Sequence, residues 1–426
     1  MHLPPSLSQI WYLIILKTSH AIGKNVENQE FLTDSKVMIS AGLIPTPELS
    51  VALATESDIF EIAQLYFDVY EGSYPDPLMK DLNLMRRFIL SKTGFWFITK
   101  DSKGRVLASV LAAYDQDNLI AKAFGAVVRT ECRARGIMEE LLGFGIKYLQ
   151  EQTKGVDVIY STTRTINEAA QTLTEKLGFK KLGIFPNAHR TNDYETHCLA
   201  AIISESALAK RNNDYKIHHE VASLYKVVQK EVGLEEKAVI IPEQPSKVLL
   251  PPGELEVVKS PKFVAYRYSH LKSVKALEFE FFPFHQPNLV IISPDQSIEL
   301  FCHLSSVDGY CVIVGGKMPH DLNFSELFLM ANRLLRDAGA RYIEVIVRAD
   351  RPKILESILR AKFIPCGFFP AFQMVNEKRH DFLVLSRSFE VFDFQNVKLK
   401  GLNQVYLEEY FKAWKRMSLN PKLLQL

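Results

Sequence analysis

The sequence has few cysteines and no cysteine pair with metal-binding spacing. Only five occur in 426 residues, and no CxxC motif is present. Neither a zinc site nor a disulfide framework is therefore expected. Scattered cysteines of odd number favour a reducing, cytoplasmic location. The five are Cys132, Cys198, Cys302, Cys311 and Cys366.

The sequence also lacks an excess of one charge and a long hydrophobic run. Its 51 basic and 49 acidic residues give a formal net charge of +2, which argues against a nucleic-acid or membrane-surface partner. The longest apolar run near the start, Ile10–Leu16, is far shorter than the roughly 20 residues that span a bilayer. What is present is a composition of 47% hydrophobic and 11% aromatic residues, which excludes a disordered chain.

The length predicts two or three domains, because a domain usually takes about 100–200 residues. Residues 1–48 are interpreted as an N-terminal extension. Strand and helix patterns alternate over 49–204, which indicates a mixed α/β architecture. A polar, proline-rich linker with a helix at Ile217–Val232 fills 205–250. The patterns resume over 251–426 and end in an amphipathic helix.

An internal repeat links the two halves of the chain. A shift of 184 positions aligns 153–164 with 337–348, and 178–188 with 362–372, without a gap. Each block has the same order of turn, strand, helix and aromatic strand, which favours duplication of one α/β domain. Chance similarity between two strand–helix–strand units is the alternative. Identical pairs include Gly155/Gly339, Arg164/Arg348, Phe179/Phe363, Gly183/Gly367, Phe185/Phe369 and Pro186/Pro370.

One segment carries a recognisable chemistry. An apolar strand ends at Val128, and a basic loop with Arg129, Arg133 and Arg135 leads through Gly136 directly into a helix. A helix N-terminus attracts anions through its free N–H groups and dipole, and glycine lets a ligand approach the backbone. The pattern suits pyrophosphate binding. An ordinary strand-to-helix turn with solvated arginines is the alternative.

Two motifs resemble those of the GCN5-related N-acetyltransferases (GNAT). The family's acyl-CoA motif, Gln/Arg-x-x-Gly-x-Gly/Ala, is similar to RARGIM at 133–138, and its next motif is similar to NEAAQTLTEKLGF at 167–179. The resemblance covers 49–204. It implies an α/β (α+β) fold of two tandem GNAT-like mixed-sheet domains, flanked by helices and joined by the helical linker. The second copy is degenerate: Arg351 and Pro352 stand at the Asn position, and we expect it not to bind CoA. A Gly315-Gly316-Lys317 sequence is a weak phosphate-binding candidate there.

The resemblance implies acetyl-CoA as co-substrate and no metal. The strands Ile120–Val128 and Val156–Arg164 would splay apart around pantetheine. Backbone N–H groups near Val127 and Val128 would polarise the thioester carbonyl. Amides at the helix entry would hold the pyrophosphate. Asn167 would contact the pantetheine arm or the helix entry. The implied cofactor-binding residues are Val127, Val128, Arg133, Ala134, Arg135, Gly136, Ile137, Met138 and Asn167.

Catalytic residues are less well marked. Met138 stands where Gly or Ala is usual in the family, and Thr174 occupies the position of a Tyr that often protonates the departing thiolate. Glu71 lies in the loop that shapes the acceptor site and is a candidate base. Tyr70 and Tyr74 could line the acceptor pocket. Further base candidates are His189, Asp193, Glu195 and His197.

These features predict an N-acetyltransferase that transfers an acetyl group from acetyl-CoA to a primary amine by direct attack in a ternary complex. The pattern TTRTIN at 162–167, followed by LGF at 177–179 and PN at 186–187, faintly resembles β-lysine N-acetyltransferases. This resemblance favours a small amino acid or polyamine as acceptor. The alternative is a non-catalytic module of two GNAT-like domains that binds CoA or a protein.

Overall fold

A computed structural model describes residues 49–72, 74, 76–152, 155–190, 193–212, 216–235, 238–242, 251–280, 284–320 and 322–419. The predicted extension, 1–48, lies outside the described residues. The chain forms two compact units, one ending at Ser161 and one beginning at Thr162. This division falls inside the predicted first domain, 49–204, whose boundaries stay a prediction. Among the described residues, no helix combines the length and apolar character needed to cross a membrane.

The N-terminal unit is a mixed sheet covered by helices. Its strands follow the order β1-β2-β3-β4-β5, and all neighbours are antiparallel except the parallel pair β4 and β5. The elements are β1 (Ser50–Leu53), α1 (Ile59–Tyr70), α2 (Leu82–Ile89), β2 (Gly94–Lys100), β3 (Val106–Asp115), β4 (Ile120–Val128), α3 (Ile137–Gln152) and β5 (Val158–Arg164).

Helices cover both faces of this sheet. Successive side chains of a strand point to opposite faces. Trp96 of β2 packs edge-on against Phe88 of α2. The next residue, Phe97, packs against Phe144 and Tyr148 of α3. The apolar run of β3 is therefore buried on both sides, which explains why it lacks the polar alternation of a half-exposed strand.

The C-terminal unit contains a larger mixed sheet of order β7-β6-β16-β17-β15-β14-β13-β12-β10, with β11 paired to β14 and a separate pair of β8 and β9. Its elements are α4 (Ala169–Lys176), β6 (Lys180–Arg190), β7 (Tyr194–Ile203), α5 (Glu205–Ala209), β8 (Lys216–His218), α6 (Ala222–Val232), β9 (Val239–Ile241), β10 (Glu256–Val258), α7 (Pro261–Ser273), β11 (Phe279–Glu280), β12 (Leu289–Ile292), β13 (Glu299–Leu304), β14 (Tyr310–Lys317), α8 (Phe324–Asp337), β15 (Tyr342–Arg348), α9 (Pro352–Arg360), β16 (Ile364–Val375), β17 (Lys378–Ser388) and α10 (Leu402–Leu419).

The strand order β10-β12-β13-β14-β15 repeats the order β1-β2-β3-β4-β5, and β14 and β15 form its single parallel pair, as β4 and β5 do. In addition, β6 and β16 pair antiparallel through Gly183 and Gly367, which are equivalent at the 184-residue shift. The duplication itself stays a prediction.

The linker helix begins later than the sequence predicts. Ile217 lies in β8, where it pairs with Ile240, and α6 starts only at Ala222. The reason is His218: its Nδ1 accepts a hydrogen bond from the Glu220 N–H and starts a separate turn. Helix α6 then packs on both β6 and β16, so this helix is part of the core of its unit.

Candidate functional site

Strand β4 leaves regular pairing close to its end. Its register with β3 shifts between Ser109 and Leu111, which pair with Val127 and Phe124. Two residues of β4 therefore oppose one of β3, which defines a β-bulge. Gly125 has a φ of +68° there, a conformation that glycine adopts at little cost. The bulge re-aims the backbone of the strand just before Val127 and Val128.

Buried side chains hold the bulge in place. The Tyr66 hydroxyl donates a 2.5 Å hydrogen bond to the Gly125 carbonyl, and burial raises the pKa of Tyr66 well above its ordinary value. A Cβ on Gly125 would lie 2.7 Å from the Leu111 Cδ1 and 2.9 Å from the Met79 Cε. The site requires glycine at this position for reasons of both conformation and space. A glycine within an apolar strand is a sequence signal for a bulge, but the sequence analysis did not predict this bulge.

One edge of β4 opens at the same place. The parallel register with β5 ends at Ala123 and Ser161, so within the described part of the N-terminal unit the residues 124–128 have no register partner on β5. Val127 is buried and Val128 is half-buried. An unpaired strand edge offers N–H and C=O groups that a ligand's amides can bind.

The loop after β4 forms an exposed turn with two left-handed residues. Ala134 and Gly136 have φ values of +61° and +77° and stand between residues of ordinary conformation. Such alternation turns successive N–H groups toward one concave side. All four residues from Arg133 to Gly136 are exposed, and no atom lies within 4 Å of where a Gly136 Cβ would be. Helix α3 starts at Ile137, so its N-terminal N–H groups adjoin the turn.

The three arginines of this segment have different roles. Arg133 and Arg135 are exposed and make no ion pair with any described residue. Arg129 is buried: its Nη1 lies 2.5 Å from the Asp68 Oδ2, and its Nε donates to the Val106 carbonyl. The hydrogen bond that Arg129 donates to Asp68 lowers the pKa of this carboxyl group. Grouping Arg129 with the other two as a cluster for an anion is therefore wrong, since its charge is already satisfied.

The remaining predicted contacts of the loop are Ile137 and Met138. Ile137 is buried and anchors the first turn of α3, whereas Met138 is half-buried. A flexible Met side chain in that position can move aside, so the open side of the turn stays accessible.

Glu71, the candidate base, caps the C-terminus of α1. It is exposed, has a φ of +50°, and donates its backbone N–H to the Phe67 carbonyl. This geometry assigns its backbone a capping role and leaves its carboxylate in solvent. Its catalytic role stays a prediction.

An aromatic cavity lies beside Glu71. Tyr66 and Tyr74 pack edge to face with ring centroids 5.3 Å apart, and Tyr70 packs on Tyr74 at 4.7 Å. Tyr66 and Tyr74 line a cavity of about 320 Å³ beside α1. The Tyr70 ring stacks on the Tyr66 ring. The other walls of the cavity include Phe60, Phe67, Met79 and Leu82. Aromatic faces of this kind can bind a small alkylammonium group.

Asn167 and Thr174 belong to the C-terminal unit. The Asn167 Oδ1 accepts a 3.0 Å hydrogen bond from the Ala169 N–H at the entry to α4. Thr174 is buried, and its hydroxyl donates to the Ala170 carbonyl at 3.0 Å. The hydroxyl is thus bound to its own helix, and the catalytic role of Thr174 stays a prediction.

The other base candidates are engaged in polar contacts of the same unit. Arg164 forms a bidentate pair with Glu195, at 2.6 and 2.5 Å. Burial lowers the pKa of His197 to about 4, despite its contact with Glu195. His189 Nδ1 lies 2.8 Å from Asp308 Oδ2. The sequence analysis missed Asp308 because a contact between residues 119 positions apart leaves no local pattern. The fourth candidate, Asp193, accepts from Asn396.

No group of three or more His, Cys, Asp or Glu side chains that could hold a metal occurs among the described residues.

Comparison with known proteins identifies one family. Residues 58–179 match the model of the acetyltransferase (GNAT) family, which covers less than half of the chain. No curated protein sequence matches this chain.

The solved structures that match this chain include three acetyltransferases. One is the ribosomal-protein-S5-alanine acetyltransferase from Vibrio fischeri, with 17% identity, 37% of this chain and 93% of that chain covered, and a TM-score of 0.33. Another is the spermidine N-acetyltransferase from Vibrio cholerae in complex with CoA and spermine, with 18% identity, 37% of this chain and 95% of that chain covered, and a TM-score of 0.33. The third is an acetyltransferase of the GNAT family from Streptococcus pneumoniae, with 21% identity, 37% of this chain and 99% of that chain covered, and a TM-score of 0.33. The segment that matches the acetyltransferase (GNAT) family model, 58–179, includes the bulged strand, its open edge and the exposed turn.

Proposed function

We propose that this chain is an N-acetyltransferase that transfers an acetyl group from acetyl-CoA to a primary amine, by direct attack in a ternary complex. The observation that carries the proposal is the sequence of features along one segment: a bulge in β4, an open strand edge, an exposed turn with two left-handed residues, and the start of α3. Pantetheine amides need such an edge, and a pyrophosphate needs such a turn.

Each part of the segment has a role in this proposal. Backbone N–H groups of the turn from Arg133 to Met138 hold the pyrophosphate, and the Arg133 and Arg135 side chains add charge. The edge at Val127 and Val128 orients the thioester and polarises its carbonyl, as an oxyanion hole does. Acetyl-CoA supplies the activated acyl group. Much of the rate enhancement then comes from positioning the two substrates.

The reaction requires proton transfers at two atoms. An unperturbed amine of the lysine type has a pKa near 10.4, so it must lose a proton before its nitrogen attacks the thioester carbon. The C–S bond then breaks, and the thiolate takes up a proton. We propose Glu71 as the base, because it directly precedes Gly72, which lines the aromatic cavity in which a small amine would bind. Water protonates the thiolate, since the Thr174 hydroxyl is bound to its own helix.

An acceptor screen tests this proposal. The purified chain is incubated with acetyl-CoA and a panel of diamines, polyamines and amino acids, and released CoA thiol is measured together with acetylated product. We expect release with at least one primary amine and none with the matching tertiary amine. Release that never depends on a primary amine would contradict the proposal.

A second candidate is a CoA-binding module without catalysis. Thr174 favours this candidate, because it stands where the family often has a Tyr as proton donor. The Thr174 hydroxyl instead donates to the Ala170 carbonyl of its own helix. The discriminating result is tight acetyl-CoA binding with no thiol release across the whole amine panel.

A further inference from the structure

The second repeat retains the divergent strand pair, but part of its cleft is closed. Strands β14 and β15 are in parallel register only from Tyr310 and Tyr342 to Ile313 and Val345. Beyond that point β11 pairs with β14, through Phe279 with Gly316 and Glu280 with Gly315. The backbone edge that would bind pantetheine is therefore occupied by the chain itself. The predicted phosphate role of Gly315-Gly316-Lys317 is wrong: both glycines lie in β14, and Lys317 pairs with Glu299.

A cavity of about 220 Å³ remains on the other side of β11. Its apolar walls are Leu277, Phe279, Val347 and Ile354, and four basic side chains surround them: Lys272, Lys275, Arg348 and Arg351. Binding pockets for drug-sized ligands usually measure about 300–1,000 Å³. This cavity therefore suits a smaller molecule and is too small for CoA.

The charges around the cavity do not cancel. Of its two acidic residues, Glu280 pairs with Lys272 at 3.2 Å and Glu278 with His320 at 3.4 Å. Arg348 pairs with Asp350 at 2.5 Å. Lys275 and Arg351 have no ion-pair partner in the part of the chain that the structure describes, and both are exposed at the rim.

The start of α9 adds to this positive field. The helix begins at Pro352, directly after Arg351, and no described side-chain hydrogen bond caps it there. Ile354 of its first turn lines the cavity. The positive end of a helix dipole favours an anion, and it acts here together with the two unpaired cations.

We propose that this cavity, between β11, β15 and the start of α9, binds a small organic anion, a carboxylate or a phosphate ester with an apolar body. Lys275 and Arg351 bind the anionic group, and the apolar walls receive the rest of the molecule. The second repeat thereby has a ligand of its own, distinct from acetyl-CoA. This inference does not rest on the proposed acetyl transfer.

Isothermal titration tests the proposal with three probes of one shape: benzoate, phenyl phosphate and neutral benzyl alcohol. We expect at least one of the two anions to bind and the alcohol not to bind. The double variant Lys275→Gln/Arg351→Gln should weaken anion binding at least tenfold. The control Lys226→Gln/Lys415→Gln removes the same charge from exposed positions of α6 and α10 and should bind as the original chain does.

Three outcomes would overturn the proposal: neither anion binds, the alcohol binds as well as the anions, or both double variants bind equally. Comparing benzoate with phenyl phosphate shows which anionic group the cavity accepts. Titration of Gly136→Glu separates this cavity from the turn of the N-terminal unit, since anion binding should persist in that variant. Loss of anion binding there would place the site at the turn and contradict the proposal.

Discussion

Gly125 determines the shape of the candidate site at the scale of a single residue. Its positive φ creates the bulge in β4, and its missing side chain leaves room for Leu111 and Met79. The Tyr66 hydroxyl fixes the carbonyl of the same residue. Three independent contacts therefore converge on one backbone position, and that position sets the direction of Val127 and Val128.

Gly125→Ala should destabilise the N-terminal unit more than Gly104→Ala. Both glycines have a positive φ, at +68° and +81°, but a Cβ at Gly104 meets no atom within 4 Å. Gly104→Ala should cost about 1–2 kcal/mol for its conformation alone, and Gly125→Ala about 1–3 kcal/mol more for overpacking. Urea unfolding of both variants measures the difference, and equal losses would show that the bulge tolerates a side chain.

At the scale of elements, β6 and β16 join through Gly183 and Gly367. A Cβ on Gly183 would lie 2.4 Å from the Cys366 carbonyl oxygen and 2.5 Å from the Gly367 Cα, both backbone atoms. A Cβ on Gly367 would meet its nearest atoms at 3.5 to 3.6 Å, which is ordinary van der Waals contact. Repeat-equivalent residues thus have different tolerances.

We expect Gly183→Ala to reduce the free energy of unfolding by about 3 kcal/mol or more. Its matched control, Gly367→Ala, should change that free energy by less than about 1 kcal/mol, because a strand alanine is slightly favoured over glycine. Thermal and urea unfolding of the two variants distinguish them. Similar losses in both would contradict the close approach of β6 and β16.

The contact between β8 and α9 predicts a pH dependence. His218 Nε2 lies 2.6 Å from Glu356 Oε2, and Arg360 donates to the same carboxylate. Burial alone would raise the pKa of Glu356, but these hydrogen bonds outweigh it and lower the pKa to about 2. A depressed carboxyl pKa stabilises the fold above the unfolded value, near 4.5, and this stability is lost as pH falls from there toward 2.

At pH 7 the free energy of unfolding of Glu356→Gln should therefore be about 3 kcal/mol lower than that of the original chain. This difference should narrow between pH 4.5 and pH 2. The exposed Glu377→Gln is the control and should change stability little at either pH. Urea unfolding at pH 7 and pH 3 gives both values. A difference in the free energy of unfolding that stays constant with pH would show that the His218–Glu356 contact does not control acid stability.

At the scale of the whole molecule, local patterns predicted much of the fold. The bounds of β4, Ile120–Val128, match the prediction. Helix α3 begins one residue after the predicted Gly136, as the motif implies. In the amphipathic last helix, Tyr406 and Tyr410 are buried and Phe411 and Trp414 are half-buried, whereas Val405 is exposed.

What the sequence did not predict depends on distant partners. Arg129 reads as part of a basic loop until Asp68 is found beside it. His218 contacts Glu356, which lies 138 positions further along the chain. Strand β11 is only two residues long and forms because β14 offers it an open edge. None of these contacts has a local spacing or periodicity, so no pattern in the sequence announces them.

Binding of acetyl-CoA is the most direct test of the account. The turn at Gly136 should hold the pyrophosphate, so Gly136→Glu places a bulky anion where that group binds. Gly104→Glu is the matched control, since Gly104 also has a positive φ and open space around it. The measurement is thermal stability with and without acetyl-CoA for the original chain and both variants.

Ligand at 100 times its dissociation constant should stabilise the original chain and Gly104→Glu by about 2.7 kcal/mol, and leave Gly136→Glu unchanged. No stabilisation of the original chain, or equal stabilisation of both variants, would contradict the assignment of the acyl-CoA site.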